Sequence, residues 1–507
     1  MSAFGIKEEA TNSVFTETSY NALLFSKSLL LASEQSMYEV LQKKGSAEDL
    51  SDYAALAALQ AQINALGRDY TANKEQIGAL HAEKLRLDRK LTERCKAYGD
   101  YTSFLDIKYD DIKNALDEGD VVVDFTDYVR DNGEHVYAAY IIRKEDEHPL
   151  LRKVFNEEQV DSLLQEQAKF RLYSEDLSAK AIDIFWKPLQ EYVSEGSTVY
   201  LVPSGIVHQV AIESLPLSDE TLLGDKYDFI RLSSAREILR KTNEMSISDK
   251  TDATLFGGIL YEVSNEEMEA ESSKYSISPL LATRGANRDI VNREPFSYLP
   301  NSKAEVDEVA GILKEKNVNV TTLTGSEGTE ESFLSMNGNA PELLLISTHG
   351  FYYTKEKAAQ VDYFSGYSDA MSLSGLIMAG ANRAWRGEPL PDGVQSGILT
   401  ASKISRLDLE GNEIVVLSAC QTAQGETTAE GVYGLQRAFK KAGVNTIMMT
   451  LWSVSDKSTK EFVTAFFERL ASNGWRKHEA FEYAKRTIRK KYREPYYWAP
   501  FVMLDGI

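Results

Sequence analysis

The sequence predicts an open α/β fold built on a parallel sheet and preceded by a helical segment, and three observations lead there. Short apolar, β-rich runs alternate with amphipathic stretches from about residue 119 onward, an order that covers both faces of a parallel sheet with helices. The first 116 residues instead carry apolar side chains at spacings of three and four, with little Gly or Pro, which is helical patterning. The chain has 507 residues, 43% hydrophobic and 10% aromatic. That is too long for one compact core and too apolar for a disordered chain.

In the leader, Leu56, Leu59, Ile63, Leu66 and Tyr70 fall on one helix face, and Ile77, Leu80, Leu87 and Leu91 continue the pattern. A few long antiparallel helices follow from this, with no clean 34-residue repeat. Near Gly119 the pattern changes. Val121–Val123 and HVYAAYII (135–142) read as strands, 157–170 and 176–193 as helices, and TVYLVP (198–203) as a strand ending in a turn. The polar stretch 241–252 reads as a linker. A second series starts at TLFGGIL (254–260), followed by a helix at 302–315, a strand at 318–323 and a helix at 328–336. ELLLIST (342–348) and EIVVLSA (413–419) are buried strands, separated by a long irregular stretch at 351–399. GVYGLQRAFKKAG (431–443) reads as a helix and NTIMMTLW (445–452) as a strand, and helices at 455–470 and 478–492 close the chain. The expected organisation is a helical region at 1–116, one α/β half at 119–245 and a second at 253–507.

Formal net charge is −21, which excludes a phosphate-binding surface of the usual basic kind and so direct nucleic-acid binding. The two cysteines, Cys95 and Cys420, cannot form a disulfide scaffold, and no Cys/His cluster has metal-ligand spacing. No metal or organic cofactor is expected. A reducing cytoplasm is the expected compartment, with no signal peptide and no membrane span.

Two residues stand out chemically. His349 follows the apolar run ELLLIST and precedes Gly350, and Cys420 follows EIVVLSA. In open parallel sheets ligands bind beyond the carboxyl ends of strands, so both lie where a site is expected. A histidine can make a thiol nucleophilic and later protonate a leaving amine. The backbone N–H groups of Gly350 and Cys420 are candidate oxyanion donors. A lone cysteine after a buried strand is usually a small core residue, and a lone strand-end histidine is as often structural. The pair together brings the catalytic reading level with the structural one, and the residues alone leave both open.

The strings LLLISTHGFYY (343–353), VVLSACQTAQGE (415–426) and EGVYGLQRAFKKAGVNTIMMTLWSVSD (430–456) resemble CHAT-family peptidases, caspase-like proteins often fused to tetratricopeptide repeats, of the caspase, separase and gingipain clan. SGLIMAGANRA (374–384), GILTASKI (397–404) and YYWAPFVMLDG (496–506) match as well, and LVPSGIVHQVAIESLP (201–216) and LPNSKAEVDEVAGIL (299–313) resemble the family's first half. The resemblance implies a caspase-like parallel-sheet sandwich of two units, the first non-catalytic and the second catalytic. The family's histidine falls on His349 and its cysteine on Cys420.

What the resemblance implies is a cysteine endopeptidase acting through an acyl-enzyme on a protein substrate. Asp456 corresponds to a segment that in separases lies beside the pocket for a basic P1 residue, although Ser455 or Asp456 could equally cap the following helix. Gln421, Thr422 and Glu430 follow the nucleophile and would shape the cleft. Trp452 reads as core, His208 as structural, Cys95 as an incidental thiol, and His478 and the basic run 485–493 as a solvated helix face. The 351–399 stretch, with Arg383 and Arg386, is a candidate for self-cleavage. Family context implies regulation through the N-terminal helices and a role in bacterial defence or cell death, with a gasdermin-like effector as substrate. The competing reading is a catalytically silent scaffold that keeps the fold for protein binding.

Overall fold

A computed structural model describes residues 13–31, 41, 45–66, 70–95, 106–160, 163–164, 169–218, 220–240, 251–277, 294–352, 370–418, 426–428 and 431–507. The chain forms two compact units, a helical one spanning Thr18–Ile112 and an α/β one that takes in Lys113–Ile507.

In the helical unit, the helix Ala47–Leu66 packs against Tyr70–Arg94. Leu56, Leu87 and Leu91 meet Leu41 in a small core, the apolar stripe expected from their spacing. Arg94 locks the pair by bonding Asp49 and Asp52 at 2.7 Å each. Cys95 is buried beside these leucines, so its thiol acts as a small apolar filler.

The α/β unit is organised by one sheet. Along the chain its strands are β1 (Val121–Val129), β2 (His135–Arg143), β3 (Leu150–Asn156), β4 (Thr198–Val202), β5 (Asp228–Arg231), β6 (Asp252–Ile259), β7 (Asn319–Gly325) and β8 (Leu343–Ser347). A separate three-stranded sheet follows, of β9 (Gly350–Tyr352), β10 (Ser374–Ile377) and β11 (Ile398–Thr400). The main sheet resumes with β12 (Ile414–Ser418), is interrupted by the hairpin β13 (Glu426–Thr428) and β14 (Gly431–Tyr433), and ends with β15 (Thr446–Thr450) and β16 (Phe501–Leu504). Its order is β3-β2-β1-β4-β5-β16-β15-β12-β8-β6-β7. The two α/β series therefore share one sheet, joined where β16 pairs parallel with β5 and antiparallel with β15.

The sheet is mostly parallel rather than wholly so. β1–β2–β3 form antiparallel pairs because their connections are too short for a crossover. The last strand returns antiparallel to β15 after two consecutive helices. Inside the sheet, β8 and β12 are buried at every residue, which is why both read as uninterrupted apolar runs.

The helix Pro300–Lys314 lies unusually close to β6. A Cβ on Gly257 would sit 2.7 Å from the Ser302 carbonyl oxygen, and one on Gly258, whose φ is +61°, would sit 2.6 Å from Lys303 Cβ. Only glycines permit that approach. Ser302 uses it, its Oγ accepting the Gly258 N–H at 2.9 Å. The same helix packs against Asp456–Ser472, which packs against Lys477–Lys491.

Several elements differ from the sequence expectation. The helix expected at 157–170 is replaced, among the described residues, by tight turns at Glu157–Gln159 and Lys169–Tyr173. The Asn156 N–H donates to the Gln159 side chain at 2.7 Å and closes the first turn on itself. The 431–443 helix begins only at Leu435, because Gly431–Tyr433 is a strand paired with Glu426–Thr428. The 351–399 stretch contains β10 and the helix Ala381–Trp385, and β11 follows at its end; residues 353–369 lie outside the described residues. Arg386 is engaged with Glu262 and Glu388, and Arg383 with Glu388. The closing basic run is only partly a solvated face: Arg486, Lys490, Lys491 and Arg493 are exposed, but other positions are engaged. Lys485 is buried and bonds the Phe501 carbonyl, Arg489 pairs with Asp225, and His478 bonds Asp228 at 2.7 Å.

Leu345, fully buried at the centre of β8, sits between two neighbouring strands. Leu345→Ala is expected to cost about 2–5 kcal/mol, read as a lower urea midpoint of the full chain.

Candidate active site

Four adjacent parallel strands, β15, β12, β8 and β6, end on one rim. Tyr261 follows β6, His349 follows β8 and Asp456 follows β15. β12 ends at Ser418, and Cys420, Gln421 and Glu430 lie outside the described residues.

The half-buried His349 ring is held from three sides. Its Nε2 lies 2.8 Å from the Ser297 carbonyl oxygen. A carbonyl can only accept, so Nε2 carries the proton and Nδ1 keeps its lone pair in the neutral ring. The Tyr261 and Phe296 rings lie 5.1 and 5.3 Å from it. Phe296 is itself clamped by Asn382, whose Oδ1 accepts the Phe296 N–H at 2.8 Å and whose Nδ2 donates to the Phe296 carbonyl at 3.1 Å. Burial pushes the His349 pKa below its ordinary value, while the Ser297 carbonyl and the nearby Asp456 carboxylate oppose that shift.

The His349 backbone is equally fixed. Its carbonyl accepts the Ile377 N–H at 2.9 Å. Thr348 Oγ1 donates to the Ile377 carbonyl, so the Tyr261 hydroxyl, 2.9 Å away, is the donor to Thr348. The phenol oxygen in turn bonds the His349 N–H, and burial pushes the phenol up to about 12. Gly350 opens β9, opposite Leu376.

Asp456 is the first residue of its helix but not the cap. That job belongs to Ser455, whose Oγ accepts the Ser458 N–H. One oxygen of Asp456, Oδ2, accepts both the Asn301 N–H and its Nδ2, at 2.8 and 2.9 Å. Trp452 is core, donating from Nε1 to the Tyr496 carbonyl. His208 is buried in the turn after β4. Among the described residues no group of His, Cys, Asp or Glu could hold a metal ion, and no helix is long and apolar enough to cross a membrane.

The sequence singles out His349 and Asp456 but not the residues packed around these strand exits, Tyr261, Ser297, Phe296, Asn382 and Glu305. The contacts of the first four join residues 52 to 87 positions apart, and no local pattern announces them. Glu305 did leave a signal, a charged residue inside the apolar stripe of Val306, Val309 and Leu313.

The clamped imidazole stands at the carboxyl ends of parallel strands, where open α/β sheets bind ligands. The chain belongs to the CHAT domain family, whose model matches residues 175–506. It is also similar to tetratricopeptide repeat protein 28 of Mus musculus, 35% identical over 111 residues, and to that of Homo sapiens, 33% identical over 124. Those matches take in 22% and 24% of this chain but only 4% and 5% of the relatives. Among solved structures, the Arg-specific cysteine proteinase gingipain R matches over 68% of each chain with 10% identity and a TM-score of 0.34. The Saccharomyces cerevisiae separase–securin complex matches over 89% of this chain and 27% of that one, with 12% identity and a TM-score of 0.32. Scores of this size carry no conclusion about activity.

The electrostatics make a prediction independent of any substrate. By NMR, His349 is expected to titrate below the ordinary histidine value. Asp456→Asn is expected to lower that midpoint further, because the carboxylate favours imidazolium. An unchanged midpoint would remove the coupling.

Proposed function

We propose that the chain is a cysteine endopeptidase with Cys420 as nucleophile and His349 as its base. The observation that carries this reading is the register of β8 and β12. Ser347 and Ser418 form their last parallel rung, with hydroxyl oxygens 3.5 Å apart. His349 and Cys420 each stand two residues further along the chain. The tautomer of His349 supports the reading as well, since the lone pair on Nδ1 can take a thiol proton.

The Cys420 sulfur attacks the scissile carbonyl carbon and His349 takes the thiol proton. Collapse of the tetrahedral intermediate breaks the C–N bond, and His349 protonates the departing amine. Water then attacks the thioester, giving the acid and the free thiol. The N–H groups of Gly350 and Cys420 hold the oxyanion. β9 begins beside His349 and is an edge strand among the described residues, so an extended substrate segment can add to it. Asp456 favours Arg or Lys at P1, and Gln421 and Glu430 shape the cleft. The substrate in this reading is a protein, for which a gasdermin-like effector in bacterial defence fits the family, and the N-terminal helices take a regulatory partner.

The test compares new protein termini generated by wild type and by Cys420→Ala in the same lysate. Termini that follow Lys or Arg and appear only with wild type are expected; identical sets from both proteins would end the peptidase reading. On a peptide with Arg at P1, His349→Ala is expected to lower kcat/KM by roughly 10²–10⁴. Asp456→Ala is expected to lower it for Arg and Lys at P1 more than for uncharged residues.

A further inference from the structure

Beneath the rim lies a charged side chain that the proposed chemistry does not use. Glu305 projects from the helix Pro300–Lys314 and is 1% exposed, on the face that carries Val306, Val309 and Leu313. Ser347 Oγ donates to Ser418 Oγ at 3.5 Å, and Ser418 Oγ donates to Glu305 Oε2 at 3.0 Å. Glu305 Oε1 is buried with no hydrogen-bond partner among the described residues. The three side chains form a line from β8 through β12 to the helix, at the last rung the strands share.

We propose that Glu305 is a positioning residue for the site: through Ser418 and Ser347 its carboxyl pins the final β8–β12 rung to the helix, and so sets the height at which the segments bearing His349 and Cys420 leave the sheet. Its consequence for catalysis rests on the peptidase reading; the pinning itself does not. A bare apolar contact would hold the helix on the sheet but would not fix one strand against the other. A carboxyl aimed at two serines on neighbouring strands does both, and its geometry is specific to that rung.

The form of the carboxyl follows from its surroundings. Burial pushes it up to about 8, and Asp456 on the neighbouring helix adds to the shift, while the Ser418 and Ser347 hydroxyls and Lys460 oppose it. At neutral pH Glu305 is therefore the neutral acid, able to accept from Ser418 and to donate once itself. Glutamine has the same shape and also accepts and donates, so it should preserve the pin. Alanine should not. The folded-state value lies above the ordinary carboxylate value. The stability contribution is thus complete below that ordinary value and is lost as pH rises through about 8. Glutamine does not titrate, so the two proteins should diverge across that window.

The experiment uses the full chain as wild type, Glu305→Gln and Glu305→Ala, with folding checked by circular dichroism. Three readouts are taken from pH 5 to 9: the urea midpoint, the rate of Cys420 alkylation by iodoacetamide followed by mass spectrometry, and cleavage of an Arg-P1 peptide. Glu305→Gln is expected to alkylate within about two-fold of wild type at pH 7, and folded Glu305→Ala about ten-fold or more slower, since a small misplacement of a reacting group carries large rate penalties. The wild-type urea midpoint is expected to fall relative to that of Glu305→Gln as pH rises from 5 to about 8, and to level off above that. Wild-type alkylation rates in folded Glu305→Ala, or parallel stability profiles for wild type and Glu305→Gln, would overturn the proposal. The expected alkylation and stability pattern without peptide cleavage by any variant would keep Glu305 as a positioning residue and remove the peptidase reading instead.

Discussion

The pairing of β8 with β12 is the constraint on which the rest of the candidate site depends. Parallel neighbours lie about 4.8 Å apart and advance together residue by residue. Once Leu343 stands opposite Ile414 and Ser347 opposite Ser418, the exits of both strands are fixed at one height. A slip of one residue would exchange inward and outward side chains along the whole strand. Both strands are buried throughout, so the hydrophobic term itself does not distinguish their two faces. The polar rung of Ser347 and Ser418, tied to Glu305, is a register-specific contact in an otherwise uniform apolar pair.

That contact exists only because the helix Pro300–Lys314 comes close. Gly257 and Gly258 allow it, and the helix then carries two polar positions to the rim, Asn301 toward Asp456 and Glu305 toward the strand ends. One helix thus links three of the strand exits. Two carboxyl groups, Glu305 and Asp456, lie near these strand exits, and their environments differ. Glu305 is buried against Ser418, and burial pushes its carboxyl up to about 8. Asp456 is half-buried at a helix start, where a negative charge is favoured by the helix dipole.

The sequence made the framework legible wherever burial imposed a simple pattern. β8, β12 and β15 are continuous apolar runs, and the helices Asp456–Ser472 and Lys477–Lys491 have clear amphipathic spacing. β5 and β16 escaped because four residues are too few to show a period. β9, β10 and β11 escaped because they pair across a connection too irregular to suggest a sheet. The 157–170 error came from helix-favouring composition overridden by a local side-chain closure at Asn156. Within the candidate site, His349 stands out because it directly follows the run ELLLIST. Its clamp was not, because Ser297 and Asn382 approach from segments that only the fold brings together.

Asp456 shows how a structure can separate two readings that a sequence leaves merged. A serine and an aspartate in succession before a helix are both good caps, and either could have spent its side chain there. Ser455 takes that role through its bond to Ser458 N–H, which frees Asp456 for another. The freed carboxylate then directs both of its bonds from Asn301 onto a single oxygen, Oδ2. Oδ1 keeps capacity for a further donor, and the Asn301 bonds fix its direction without neutralising the charge. A carboxylate oriented by neutral amide donors, half-buried and close enough to His349 to bias its protonation, is better prepared to meet a guanidinium or ammonium group than one held by an arginine or lysine of its own chain. In the proposed peptidase, selectivity for a basic P1 residue would rest on this carboxylate, which among the described residues is held by Asn301 and not by an arginine or lysine.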